Sequence, residues 1–497
     1  SDLLDPVSVR IALARLSSPG RKALDTLVAH GGRMRAPHFF RRFGKVRPVG
    51  PGRLEREAVW REPENPAEEL LYLGLMFRAF EQDRGESCEF VFVPDDLRGL
   101  LPDPQVESTI FRVDTAASVP RQDDGGQALV HDLFAYLSHL QNHDVRPYAD
   151  GRLAKRDLAA IRRRLHDPDE RRLGFLRHLA QRLELVDRHA EHLRLESAPV
   201  KQWLTSPYAQ QLAELQGAWR DDANWSDLCE VPGLTCEREE SWLPRYDPTA
   251  ARQRILELLA RCPIHSSWTL ASFVAAVKEA DPDFQRPDGD YASWYIRDAY
   301  HGVYLSGFDS WDLVEGVLIA DLLTGPMRWL GIVAVAESED GYRCRLTEAG
   351  GRFLGLLPGE PGALPSPSIV VHGDFRIEVP APVNLYTRFQ LQRFAALESA
   401  DPCRYRLTAA SLGRALSRGV LVDQVLAFLQ QASTRPVPPR VAGQVRLWAG
   451  RFGQASLEEV ALLRVRDERS LKELKVLPET RSLIGTPLTP TSALVRK

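Results

Sequence analysis

The sequence predicts an α+β chain, mainly helical, in which three-helix units that each end in a strand hairpin follow one another and a smaller α/β domain comes last. Three observations carry that expectation. Apolar residues at helical spacing, followed by a short alternating stretch, recur along residues 1–358. A breaker-rich stretch, "LPGEPGALPSPS", then divides the chain near residue 367. Finally, 497 residues with 44% hydrophobic content are too many for one core, which implies about three to five domains.

In the first unit, "SSPGRKALDTLVAHGG" places Leu24, Leu27 and Val28 at helical spacing and ends in a double glycine suited to a left-handed C-cap. "APHFFRRFG" predicts a second helix. After the turn "RPVGPGRL", the stretch "NPAEELLYLGLMFRAF" has Asn65 as N-cap and Pro66 at the first helical position. "SCEFVFVP" alternates as a strand does and pairs with "GLMFRAFE" across "QDRGE". Three helices and a two-stranded wing describe a winged-helix domain, assigned to 1–105.

The order recurs loosely in a winged-helix-like domain at 106–205: helix "ALVHDLFAYLSHLQ", turn "VRPYADGRL", helices "KRDLAAIRRRL" and "RRLGFLRHLAQRLELV", then the strand-like "HLRLES". Trp203, Trp219 and Trp225 mark a helical spacer, and "CEVPGLTCEREESWLPRYDP" reads as a linker, together 206–247. A third winged helix is expected at 248–358, from "ARQRILELLARC" and "TLASFVAAVKEA" through "WDLVEGVLIADLLTG" to the strand "WLGIVAVAES", the turn "EDG" and "YRCRLTEAGGRFL". The last domain, 367–476, opens with the hairpin "SIVVHGDFRIEVP" turned at Gly373-Asp374, and 477–497 reads as a polar tail rich in Thr and Pro.

No apolar run reaches the roughly 18 to 20 residues of a membrane span, and "SDLLDPVSVRIALARL" lacks the layout of a signal peptide. A cytoplasmic protein without a membrane partner is expected. Cys88, Cys229, Cys236, Cys262, Cys344 and Cys403 form no C-x-x-C pair, so reduced thiols are expected in place of a zinc site or a disulfide framework. The net charge of −3 conceals clustering of arginine toward the N-terminal half.

Two clusters offer phosphate contacts to double-stranded DNA. The first is Arg33, Arg35, Arg41, Arg42, Lys45 and Arg47, continued by Arg53 and Arg56; the second is Arg152, Lys155, Arg156, Arg162, Arg163 and Arg164, with Lys155, Arg162 and Arg163 along one helical face. The competing reading is a solvated face making local ion pairs, for which "HDPDERR" supplies acids.

The stretch "RYRLTAASLGRALSRGV" runs from a strand into a helix opened by Thr408 and closed at Gly419, with Leu412, Ala415 and Leu416 on one face and Arg414 and Arg418 on the other. Nothing in it is a nucleophile, an acid-base pair or a ligand cluster. A near copy of its pattern is "RCRLTEAGGRFLG".

This C-terminal domain resembles the N-terminal domain of the XPB helicases, and equally the clutch domain of the TFIIH subunit that carries winged helices and clasps XPB. The likeness lies in "IVVHGDFRIEV", "TRFQLQRFAALES", "YRLTAASLGRALSRGVLVDQVLAFLQQAST" with the following "PVPP", and "QVRLWAGRFG". The N-terminal part is similar to bacterial helicase-associated proteins in "FVPDDL" and "PDFQRPDGDYASWYIRDA". The resemblance implies a surface that holds an XPB-like helicase or other motor, with Arg376, Arg404, Arg406, Arg414 and Arg418 as candidate partner-binding residues. The motor itself is not expected here, because no G-x-x-x-x-G-K-[ST] phosphate cradle occurs in the sequence, and no cofactor is called for.

Two other functions stay open. Asp281, Asp283, Asp288 and Asp290, beside Trp294 and Tyr295, are carboxylates that a metal-dependent nuclease needs, although Asp-Pro and Asp-Gly steps are ordinary turn formers. A winged-helix transcription factor is the other. His189 and His192 in "HAEH" lack a third ligand in the sequence, and His131, His139 and His143 share one helical region without a catalytic partner.

Overall fold

The computed structural model describes residues 5–83, 86–104, 111–116, 125–236, 247–264, 266–286, 289–292, 294–339, 341–359, 368–380, 384–452, 461–481 and 483–495. The described residues are mixed α/β, about half helical, with small sheets and no barrel. They divide into two units, Ser1–Pro365 and Ser366–Lys497. None of the described helices is long and apolar enough to cross a membrane.

Local signals set the start of the first unit. After α1 (Pro6–Arg15), Ser17 caps α2 (Ser18–Ala29) by accepting from the Gly20 amide at 3.0 Å. Gly31 and Gly32, both at positive φ, turn the chain into β1 (Arg33–Arg35). Then come α3 (Ala36–Phe43), α4 (Pro51–Glu57) and α5 (Pro66–Tyr72), the last capped by Asn65. Gly44 has φ +92, and a Cβ there would lie 2.5 Å from the Cβ of Asn65, so a glycine is needed where α3 passes the cap of α5. The hairpin β2 (Phe77–Asp83) and β3 (Glu86–Phe92) follows, and β1 joins it to give the order β1-β3-β2. Leu24, Leu27, Phe39, Leu70, Met76 and Val91 form the core beneath it, and Leu97 of α6 (Asp95–Arg98) closes one side.

A related order, helices followed by a hairpin, comes twice more. β4 (Thr115–Ala116) precedes α7 (Gly125–Asn142), α8 (Lys155–Arg162), α9 (Glu170–Arg182) and the hairpin β5 (Val186–His189) and β6 (His192–Leu195). The Leu193 amide donates to the Val145 carbonyl at 3.0 Å, a single rung where β1 stands in the first set. α10 (Ser197–Thr205), α11 (Tyr208–Arg220), α12 (Asp227–Glu230) and β7 (Leu234–Cys236) come next. The third set is α13 (Pro248–Leu259), β8 (Ser267–Thr269), α14 (Leu270–Ala280), β9 (Ile296–Asp298), a π-helical turn at Asp312–Gly316, α15 (Val317–Thr324), α16 (Pro326–Trp329), β10 (Val333–Ser338), β11 (Gly341–Leu346) and α17 (Glu348–Phe353). Its sheet runs β10-β11-β8-β4, so the strand between the first two helices again lies against the last strand.

Two expectations change here. The spacer is core: Trp203 and Trp219 are buried, and the Arg252 guanidinium is buried with Asp227 and with the Trp219 and Asp222 carbonyls. The linker is partly sheet, since Leu234–Cys236 pair with Ile296–Asp298; residues 237–246 lie outside the described residues.

The second unit begins with β12 (Val370–Val371) and β13 (Arg376–Glu378), the predicted hairpin, followed by α18 (Leu385–Phe394), β14 (Ala396–Ser399) and β15 (Arg404–Arg406), in the order β12-β13-β15-β14. α19 (Ala409–Ser417), α20 (Val422–Ala432) and α21 (Pro439–Arg451) cover one side. Ile369, Ile377, Leu391, Tyr405, Leu412, Ala415, Leu429, Val441 and Val445 fill this core, none of them accessible to solvent. The stretch read as a polar tail, 477–497, is folded onto the end of the preceding domain: its α23 (Pro478–Arg481), β17 (Ile484–Thr489) and β18 (Ser492–Val495) join β16 (Ala461–Arg464) and α22 (Glu468–Val476), giving a three-stranded sheet, order β16-β18-β17, with one helix packed through Leu471.

Candidate nucleic-acid and partner-binding surfaces

The first basic cluster sorts into committed and uncommitted side chains. Arg47 is committed most deeply. It donates from Nε to Glu68 Oε1 and from Nη2 to Glu68 Oε2, both at 2.7 Å, from its amide to Oε1 at 2.8 Å, and from Nη1 to Glu64 at 2.7 Å. Glu68 is fully buried in α5. Burial pushes its pKa up, but the Arg47 hydrogen bonds and the Glu64 amide outweigh this, and the net displacement is downward. Arg41 pairs with Asp283, donates to the Gly289 carbonyl at 3.3 Å, and lies over the rings of Tyr291 and Phe308 at 4.8 and 4.7 Å. Arg33 pairs with Glu81 and lies over Phe90 at 4.1 Å; Arg35 donates to the Cys88 sulfur at 3.3 Å. Arg53 pairs with Glu57, and Arg56 donates to the Gly52 carbonyl.

Arg42 and Lys45, by contrast, are exposed and meet no carboxylate among the described residues. Ion pairing has therefore claimed most of this cluster, and what faces water is the end of α3 and the turn after it. An exposed aromatic that the sequence reading did not single out sits nearby: Trp60, 48% exposed, with the Arg61 guanidinium 4.9 Å from its ring centre. The signal was an indole directly before a charged pair in "VWREP", which no helical or strand period required.

In the second cluster, Arg152 pairs with Asp150 at 2.6 Å, and Arg156 lies 3.7 Å from Asp157. Arg162 donates to the Pro168 carbonyl at 2.7 Å and lies 3.8 Å from Glu170, the acid supplied by "HDPDERR". Lys155, Arg163 and Arg164 are exposed on or just after α8.

In the second unit, α19 carries a reciprocal cap. Thr408 Oγ1 accepts from the Ser411 amide at 3.0 Å, and Ser411 Oγ accepts from the Thr408 amide at 3.1 Å. Leu412 and Ala415 are buried while Arg414 is exposed, so the helix folds inward on its apolar face and shows its basic one. Arg376 pairs with Asp374 at 2.7 Å, Arg406 pairs with Glu398, and Arg404 lies 3.8 Å from Glu378. Arg418 lies at the C-terminal end of α19 and is exposed. The paired three sit on β13 and β15, in a row across adjacent strands.

The carboxylates of the acidic stretch are used inside the fold. Asp281 pairs with Arg254; Asp283 pairs with Arg41, faces His38 at 3.4 Å and accepts from the Tyr291 hydroxyl at 2.7 Å; Asp290 Oδ1 accepts from the Ala292 amide at 2.8 Å. Asp288 lies outside the described residues. Burial lowers the His38 affinity for a proton, and burial together with Asp283 raises that of Tyr291. Trp294 is buried and Tyr295 half-exposed. Nearby, Glu315 is fully buried against Arg286 and Gln285, and burial pushes its carboxyl upward in spite of the guanidinium.

His189 and His192 face each other across β5 and β6, yet take different partners: His189 bonds Glu196 at 3.0 Å and His192 bonds Asp144 at 2.6 Å. Asp187, His189 and Glu196 are the one set of described residues whose donor atoms converge within 4.8 Å, on an exposed hairpin where they already form ion pairs. His139 stacks on His143 at 4.2 Å, its proton affinity lowered by burial to a pKa of about 4, and His131 lies near His166. Cys262 and Cys344 are buried thiols, pushed by burial to about 12. None of the six cysteines is in a disulfide.

Comparison with known proteins places one segment. The family described as helicase conserved C-terminal domain matches residues 369–488, which spans β12 through most of β17. No curated protein matches the chain. The match points to a helicase-associated protein.

Proposed function

We propose that this protein is a DNA- and protein-binding factor without catalysis of its own, which recruits or regulates an XPB-type helicase in DNA repair, transcription or genome defence. The observation that carries this reading is the match of residues 369–488 to the helicase conserved C-terminal domain, on a unit whose capped helices and short strands present arginines outward. The repeated element order of the first unit, with the early strand against the last, supports its reading as three winged helices. Double-stranded DNA is the nucleic-acid partner, reached by Arg42 and Lys45 of the first cluster and by Lys155 and Arg163 of the second, whose positive charge acts on phosphates without reading sequence. The second unit holds the motor, with Arg414 on the exposed side of α19 as a contact.

Two measurements on the full chain test this. Affinity for a short duplex should fall steeply with salt, as counterion release requires. An immobilised XPB-type helicase from the same genome should capture the chain, and Arg414→Glu should weaken capture. A chain that binds neither duplex nor helicase contradicts the proposal; protection of one discrete DNA site would indicate a transcription factor instead.

A further inference from the structure

We propose that Trp60, with Lys45 and Arg61, is a stacking post for unpaired nucleotides, so that the first basic cluster holds single-stranded nucleic acid as well as duplex. The inference rests on the reading of the protein as a nucleic-acid-binding factor and adds to its duplex a second strand type, with the site and residues that would take it.

The geometry begins with the insertion between α3 and α5. α4 ends at Ala58, whose φ of +49 and ψ of 38 put a residue with a side chain in the left-handed region. The chain then makes one 3-10 turn, Val59–Arg61, closed by the Arg61 amide on the Ala58 carbonyl at 2.9 Å and the Glu62 amide on the Val59 carbonyl at 3.1 Å. That turn projects Trp60 into water. Elsewhere Trp203, Trp219, Trp268 and Trp311 are buried to the last few per cent, and Trp60 stands alone among the exposed large hydrophobic residues described as a tryptophan. An indole left out of a core forgoes the burial of a large apolar surface, and an exposed one beside a cation marks a contact surface.

The surroundings favour a nucleic acid. Arg47 Nη2 donates to the Glu62 carbonyl at 3.1 Å and Asn65 donates to the Lys45 carbonyl at 2.9 Å, which ties the turn after α3 to the turn that displays Trp60. The acids nearest in sequence are partly occupied, Glu57 by Arg53 and Glu64 by Arg47, leaving Glu62. Lys45, Arg61 and Arg42 meet no carboxylate among the described residues. A flat indole beside the Arg61 guanidinium, on a turn tied to the Lys45 backbone, suits bases whose faces are free, with phosphates on Arg61 and Lys45; in a duplex those faces are already stacked. Tryptophan and arginine also serve protein interfaces, which the test below separates.

The test uses the full chain, a fluorescein-labelled thymidine oligonucleotide of about 20 nucleotides, the matched duplex, and anisotropy between about 50 and 200 mM salt. Trp60→Ala should weaken oligonucleotide binding about 5- to 150-fold, the range of one stacked base, with a far smaller effect on duplex. Trp60→Phe should retain most of the affinity, and Lys45→Ala with Arg61→Ala should reduce the salt slope by about 1.4. Unaltered thermal melting of Trp60→Ala checks the fold. Binding of duplex but not oligonucleotide by the wild type overturns this inference and leaves the proposed function standing. So does equal oligonucleotide binding by Trp60→Ala, or a loss of helicase capture in that variant with oligonucleotide affinity unchanged. Absence of binding to both nucleic acids overturns the nucleic-acid reading itself.

Discussion

Arg47 and Glu68 form the deepest charge pair of the first basic cluster: two guanidinium nitrogens and the backbone amide of Arg47 all end on one fully buried carboxylate. An arginine that resembles a phosphate ligand in the sequence is a clamp between the turn after α3 and the start of α5. Because the Glu68 carboxyl is held below its ordinary range, it favours the folded state above the unfolded pKa of about 4.3. That contribution disappears as pH falls through the lower folded value. Glu68→Gln should therefore melt earlier than wild type at pH 7 and show a smaller loss between pH 7 and pH 3. An unchanged gap between the two pH values would contradict the assignment.

Arg252 and Asp227 make a second pair, buried beside Trp219 and Trp225. Replacing one partner leaves an uncompensated charge and open carbonyls. Arg252→Met is expected to lower the stability of the first unit by about 3 to 5 kcal/mol. Urea unfolding followed by tryptophan emission reads this out, since the Trp219 and Trp225 indoles both donate to Asp227. A loss below about 1 kcal/mol would show that the pair is not structural in this way.

Thr408 tests the cap of α19. Thr408→Ala removes the acceptor of the Ser411 amide and should cost about 1 kcal/mol, seen as faster hydrogen exchange in residues 409–412. Leu412→Ala empties a fully buried site and should cost about 2 to 5 kcal/mol. Equal exchange in the cap variant would mean that the helix start is held by packing alone.

Ala58 gives an opposite sign. Its left-handed backbone costs an L-residue about 1 kcal/mol that glycine avoids. Ala58→Gly should raise the melting temperature slightly and leave oligonucleotide binding within about twofold. A drop in stability would place the Ala58 methyl in a contact that matters more than the strain.

How far the sequence reveals this molecule depends on separation along the chain. Caps at Asn65 and Thr408, the Gly373-Asp374 turn and the β2–β3 hairpin are all written within a few residues, and the structure has each of them. The pairing of Leu234–Cys236 with Ile296–Asp298 has no local signal, because its partner lies some sixty residues away. β17 is obscured for another reason. Pro487 argues against a strand, yet β17 is the edge of its sheet, where the missing amide is tolerated. The candidate sites follow the same logic. Charge clustering along the sequence identified Arg41 and Arg47, but the distant acid on Arg41, Asp283, appears only in three dimensions. What linear reading kept was the exposed remainder, Arg42 and Lys45; what it passed over was Trp60, which belongs to no periodic pattern.

The most direct measurement is the DNA-dependent ATP hydrolysis of an XPB-type helicase from the same genome, with and without the full chain, alongside the chain alone. The account predicts that the helicase and the chain elute together, that the helicase rate changes on adding the chain, and that the chain alone hydrolyses nothing. Hydrolysis by the chain alone, abolished by a substitution in its own residues, or a helicase that neither binds nor responds, would contradict it.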